Sequence, residues 1–347
     1  MKRTRLLAAT AILAMATTAI AACGSSADAG DTNTPSSSSE SPSSETSEAT
    51  EESSAAETSE AESSDSETSG AETGDAAGGM PDLSGDTQKD LTIPIAAGWD
   101  EDIAVSNLFK YLLEQNGYTV ELPSLDIAPI FDGVASGEYD FFFDTWLPNT
   151  HKDYWAKYQD KVVDLGVWYD KAPLTIAVPD YMDIDSLADL KSIGDEVDHT
   201  ITGIDPGAGL SRVTKEDMMP AYGLDDWTLK LSSTASMLAE LKTAIDKKAP
   251  IVVTLWRPHW AYSAFPIKDL EDPKGAMGAP DEIHTIASND FAAADPGLTA
   301  LLKQFHMDAD TLGDLENVVL QEHKDDPQAG VKAWVEANPD FVSKLIG

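Results

Sequence analysis

Leu91-Thr92-Ile93-Pro94-Ile95-Ala96-Ala97-Gly98-Trp99-Asp100 is an apolar run that stops on a glycine, and the following residues to Gln115 place Ile103, Val105, Leu108, Phe109, Leu112 and Leu113 at helical spacing. The first stretch reads as a buried strand and the second as a helix with one apolar face, a βα unit. The unit recurs along the chain. Strands are expected at 91–97, 118–122, 139–146, 174–178, 200–204, 251–255 and 282–286, and helices at 101–115, 127–134, 210–222, 234–247 and 298–305. That alternation predicts an α/β fold with parallel sheets covered by helices. Ligands of such sheets sit beyond the carboxyl ends of the strands, which directs attention to the residues where the apolar runs stop.

Outward from this region the composition changes abruptly. Residues 24–88 are mostly Ser, Glu, Thr, Ala and Gly, with 16 acids, no Lys or Arg and no aromatic residue. Such a segment buries too little apolar surface to offset its ordering entropy, so 23–88 is expected to be a disordered tether. As a random coil it spans about 45 Å, and like charges extend it further. Residues 1–22 begin Met1-Lys2-Arg3-Thr4-Arg5, continue uncharged to Ala22, and close on Ile20-Ala21-Ala22-Cys23. This is the pattern of a signal peptide ending in a lipobox, with Cys23 as the lipidated residue of the mature N-terminus. Cys23 is the single cysteine, so no intrachain disulfide is available and stability must come from the core. No other apolar run has the about 20 residues that span a bilayer. The expected location is therefore the extracytoplasmic face of the cell membrane, attached by lipid. The net charge of −38 opposes nucleic acid as a partner.

Three of the eight tryptophans stand where apolar runs end: Trp99, Trp146 and Trp256. One tryptophan in such a place is more often core packing, but three at equivalent strand ends favour a shared site. Trp155, Trp168, Trp227 and Trp334 read as packing residues, and Trp260 fits either role. An aromatic box suits a quaternary ammonium ion, whose charge lies under methyl groups that donate no conventional hydrogen bond. It equally suits a sugar ring stacked on indole faces. Pro206-Gly207-Ala208-Gly209-Leu210 reads equally as a plain loop-to-helix turn or as a helix start whose free N–H groups attract a carboxylate, and His151, for which surface exposure is the commoner reading, is the candidate second donor. No nucleophile–base pair, metal motif or phosphate loop appears, so neither an enzyme nor a cofactor is expected.

Gly98-Trp99-Asp100, Asp144-Thr145-Trp146-Leu147-Pro148-Asn149-Thr150-His151, Gly203-Ile204-Asp205-Pro206-Gly207-Ala208-Gly209 and Ile251-Val252-Val253-Thr254, which leads into Trp256-Arg257-Pro258-His259-Trp260, resemble the substrate-binding proteins of glycine betaine and proline betaine ABC importers. The resemblance runs in order over nearly all of 89–347. It implies a type II periplasmic-binding-protein-like fold: two α/β lobes, a hinge of two crossing segments and an interlobe ligand cleft. The lobes are expected at 89–178 plus 279–347 and at 179–278. By the same resemblance, Trp99, Trp146 and Trp256 form a prism around a trimethylammonium group, while His151 and the backbone amides of Gly209 and Leu210 hold the carboxylate. The implied partners are a quaternary ammonium solute and a membrane permease. The alternatives are a choline or carnitine receptor and, from another class, a lipid-anchored enzyme or sugar-binding surface protein.

Overall fold

Twelve strands form among the residues that the computed structural model describes, 83–346. They are β1 (Asp90–Thr92), β2 (Ile95–Ala96), β3 (Thr119–Glu121), β4 (Ser124–Leu125), β5 (Phe141–Leu147), β6 (Val162–Ala172), β7 (Leu174–Pro179), β8 (Thr200–Thr202), β9 (Thr228–Lys230), β10 (Val253–Trp256), β11 (Ile267–Asp269) and β12 (Asp281–Ser288). The signal peptide, Cys23 and the tether as far as residue 82 lie outside the described residues.

The opening run divides at Pro94 into β1 and β2, which pair in parallel with β3 and β4. β5, β12 and β6 make a three-stranded antiparallel sheet in that order, and β11-β7-β10-β8-β9 make a five-stranded mixed sheet. The expectation of parallel sheets therefore holds for β1/β3, β2/β4, β8/β9 and β8/β10 and fails around β6, β7 and β12. β6 passes into β7 through Pro173 alone, and the two strands enter different sheets, where β6 pairs antiparallel with β12 and β7 antiparallel with β10 and β11.

Residues 174–178, the end of the first segment expected in the first lobe, belong to β7, which pairs with β10 and β11 in the five-stranded sheet, so the chain changes sheet at Pro173. The ordered chain also starts before Lys89. The Asp86 carboxylate accepts from the N–H groups of Gly297 (2.8 Å) and Leu298 (3.0 Å) at the start of the helix Pro296–Gln304, and from the Tyr118 hydroxyl. An acid at free helix amides is a favourable pairing that composition alone does not reveal.

β6 was invisible to periodicity because Asp164, Gly166, Asp170 and Lys171 interrupt its buried positions. β5 is buried along its whole length. Phe143 meets Phe109 at 4.6 Å, and Phe305 lies stacked on Trp168 at 5.4 Å. Each such ring pair adds about 0.5–1.5 kcal/mol beyond area burial, which anchors the strand that ends in Trp146.

Candidate functional site

Gly98, at φ +78°, turns the chain out of β2, and Trp99 stands at the N-cap of the helix Asp100–Gln115. Trp146 is the second-last residue of β5 and Trp256 the last of β10. Their side chains converge. All three indoles are buried and line one cavity with an empty volume of about 270 Å³. Trp99 and Trp256 stand 6.5 Å apart, inclined by 59°, and Leu174 and Ile204 complete the apolar wall. The cavity thus takes walls from the three-stranded sheet's side of the molecule and from the five-stranded sheet. Each of the six expected ligand-binding residues, Trp99, Trp146, His151, Gly209, Leu210 and Trp256, lines it.

His151 is fixed from both sides of a short loop. Its N–H donates to the Trp146 carbonyl at 3.0 Å, and its Nδ1 accepts from the Trp146 N–H at 3.0 Å. Accepting at Nδ1 places the proton on Nε2, which is buried and has no hydrogen-bond partner. Burial, with a smaller contribution from the Arg212 charge, pulls its pKa down to about 3. The ring is therefore a neutral donor, stacked on Trp99 at 5.6 Å and 9°.

Further donors come from a helix start. Ala208 caps the segment Gly209–Arg212, which runs on through a π-helical turn, Val213–Met218, to Ala221. The first intrahelical bond is Arg212 N–H to Ala208 O, so the amides of Gly209 and Leu210 precede it and are free to bind an anion. Gly209 packs so tightly on Thr150 that a Cβ would lie 2.1 Å from the Thr150 carbonyl oxygen. Other contacts join the same segments: Tyr154 hydroxyl to Gly207 O (3.0 Å) and Arg212 Nη2 to Asn149 O (2.9 Å).

Beneath the indoles lies a group of buried acids that motif reading did not single out. Glu101 lines the cavity and accepts from Trp256 Nε1 at 3.0 Å, and Asp144 accepts from Trp146 Nε1 at 2.7 Å. Burial pushes Asp144 up to about 7, against the pull of the Trp146 indole. Glu101 is held well above the carboxylate range by burial and then by Asp144 and Glu316. Asp102 and Glu316 are raised in the same way, and Asp100 reaches about 7. Glu101 stands two residues after Trp99 and Asp144 two residues before Trp146. An acid inside the run Phe141-Phe142-Phe143-Asp144 was the available signal.

The remaining tryptophans do not reach the cavity. Trp168 and Trp334 are core residues that donate to Phe143 O (2.6 Å) and Asp314 Oδ2 (2.8 Å). Trp227 stacks on His199 at 5.7 Å, and Trp260 packs on Phe265 at 5.5 Å. Among the described residues no helix is long and apolar enough to cross a membrane.

Comparison with known proteins agrees with this architecture. Residues 89–337 match the family model described as the substrate binding domain of ABC-type glycine betaine transport system. The glycine betaine/carnitine transport binding protein GbuC of Listeria monocytogenes is 40% identical over 157 residues, 44% of this chain and 51% of that protein, so the match spans about half of this relative's length. The crystal structure of lactococcal OpuAC in its closed-liganded conformation complexed with glycine betaine superposes with a TM-score of 0.69 at 32% identity, covering 75% of this chain and all of that one. The glycine/betaine/L-proline-binding protein ProX of Borrelia burgdorferi gives 0.69 at 30% identity with the same coverage. The chain belongs to the family of substrate-binding domains of ABC-type glycine betaine transport systems.

Proposed function

We propose that this protein is the extracytoplasmic receptor of an ABC importer, and that it captures glycine betaine or a closely related carboxylated quaternary ammonium solute for osmoprotectant uptake. The observation that carries this reading is the lining of one cavity: three indoles together with the unpartnered Nε2–H of the neutral His151 and the free amides of Gly209 and Leu210 at a helix start. Indole faces contribute about 0.5–2 kcal/mol each to a desolvated cation, and burying the methyl groups adds about 25 cal/mol per Å². The neutral histidine and the helix amides give the carboxylate directional donors without a counter-charge.

In this reading one lobe holds 89–173 and the segment from about 279 onward, the other the chain between, with Pro173 and residues 270–280 as the crossing segments. Ligand groups contributed by both lobes make closure and binding one event. The test is calorimetric titration with glycine betaine, proline betaine, carnitine, choline and ectoine side by side. Glycine betaine is expected to bind more tightly than choline, which lacks the carboxylate. Absence of heat and of any thermal shift with millimolar glycine betaine overturns the reading.

The membrane attachment proposed here runs through Cys23, at the end of the lipobox Ile20-Ala21-Ala22-Cys23. Cys23→Ala is expected to move the protein from the membrane fraction to the soluble one, and retention on the membrane would exclude this anchor.

A further inference from the structure

Glu101 is the one acidic side chain that lines the indole cavity, and it is 1% exposed. One of its oxygens accepts from Trp256 Nε1 at 3.0 Å, so it orients the indole that forms part of the cage. Its electrostatic surroundings contain no fixed cation. Asp100 and Asp102 lie on its own helix, Asp144 on β5, Glu316 on the helix Ala309–Glu316 and Tyr169 on β6. His151 and His259, at the loops after β5 and β10, are both held neutral by burial. Among the described residues no lysine or arginine pairs with Glu101, Asp102, Asp144 or Glu316, and no group of acids or histidines is placed to hold a metal ion. The positive charge that this cluster lacks must be a proton or a ligand.

We propose that Glu101 is the charge-selecting residue of the cage: its carboxyl group is protonated in the free protein and ionises when a quaternary ammonium ion enters between Trp99, Trp146 and Trp256, releasing the proton to solvent. The proposal rests on the quaternary ammonium reading of the cavity. It adds a reason why a fixed cation is preferred over a neutral solute of equal shape, since indole faces and methyl burial alone discriminate weakly between them. Ionisation also strengthens the bond from Trp256 Nε1, because a carboxylate is a better acceptor than a carboxylic acid.

The sign of the linkage follows directly. In the free protein burial and the neighbouring acids favour the protonated form, and the bound cation favours the ionised one. Between the two resulting pKa values binding expels a proton, so affinity rises with pH, by at most about tenfold per pH unit for one proton, and levels off above the free-state pKa.

The experiment is calorimetric titration of the parent with glycine betaine at pH 6, in buffers of different ionisation enthalpy, repeated from pH 5 to 8. The carboxylate of glycine betaine is already ionised there. A parallel series uses 3,3-dimethylbutanoate, in which carbon replaces the cationic nitrogen. Proton release is expected with glycine betaine and not with the neutral-headed analogue. Glu101→Gln keeps an acceptor for Trp256 Nε1 and is expected to abolish the release, flatten the pH profile and reduce the preference for the cation on the order of tenfold. Glycine betaine binding without proton exchange, or proton release that persists in Glu101→Gln, overturns the proposal and leaves the receptor function standing. A panel in which no methylammonium compound binds overturns both.

Discussion

Gly209→Ala is expected to weaken glycine betaine binding by about 10- to 100-fold while leaving the melting of the free protein close to that of the parent, as read by calorimetry and circular dichroism. The added Cβ would stand 2.1 Å from the Thr150 carbonyl oxygen, 2.6 Å from Thr150 Cγ2 and 2.7 Å from its carbonyl carbon. Two of these three atoms are backbone, and that backbone cannot retreat easily. Asp281 on β12 accepts from the N–H groups of Asn149 (2.7 Å) and Thr150 (2.9 Å), which ties the loop to the three-stranded sheet. The helix start must therefore back away, taking with it the amides of Gly209 and Leu210 and loosening Tyr154–Gly207 and Arg212–Asn149. Overpacking of this kind costs about 1–3 kcal/mol, and 1.4 kcal/mol is a factor of ten in affinity. Thr150 follows β5 of the three-stranded sheet and Gly209 follows β8 of the five-stranded one, so the clash lies between them and not within either sheet; in the two-lobed reading proposed above, a free protein that opens escapes it. A variant that binds as tightly as the parent would show that Gly209 and Thr150 do not approach in the bound state.

The same glycine shows what a sequence exposes and what it hides. Gly207-Ala208-Gly209 after an apolar run and before a helical one is a local signal, and so are tryptophans at the ends of three such runs. Local signals located the cavity-lining residues because strand ends and helix starts are defined within a few neighbours. They also suggested the donor at His151, although its tautomer depends on a bond to Trp146 that only the folded loop makes. Glu101 escaped notice for a different reason. An acid in the first turn of a helix is normally a solvated partner of free amides, and nothing nearby in sequence says that Asp144 and Glu316 bury it. Pairing direction is likewise non-local: 282–286 reads as a strand and 162–172 as no element, and the antiparallel register of β6 and β12 joins residues some hundred apart in the chain. The docking of Asp86 on the helix at Pro296 belongs to the same class of long-range contact.

Trp256→Ala is expected to produce the larger loss, about 30- to 700-fold in glycine betaine affinity. Only interactions that differ between the bound and free states count toward this figure. Removing the indole takes away one cation–π face, about 0.5–2 kcal/mol, and much of the burial of the methyl groups at about 0.8 kcal/mol per buried carbon. Together these come to about 2–4 kcal/mol, and each 1.4 kcal/mol is tenfold. The loss also unsettles the rest of the cage, because Trp256 stands 6.5 Å from Trp99 and 4.7 Å from His259. Trp256→Phe separates the two roles of this side chain. It keeps an aromatic face toward the cation and removes the Nε1–H that binds Glu101. If the indole acts only as a surface, phenylalanine should restore most of the affinity. If the bond to Glu101 also positions it, phenylalanine should remain on the order of tenfold weaker than the parent, the effect of losing one hydrogen bond to a charged group. Titration of the two variants beside the parent decides between these outcomes. The tenfold deficit is the result expected, because the Trp256 Nε1–H is the side-chain donor that holds Glu101 against the indole, the other donor to it being its own backbone N–H.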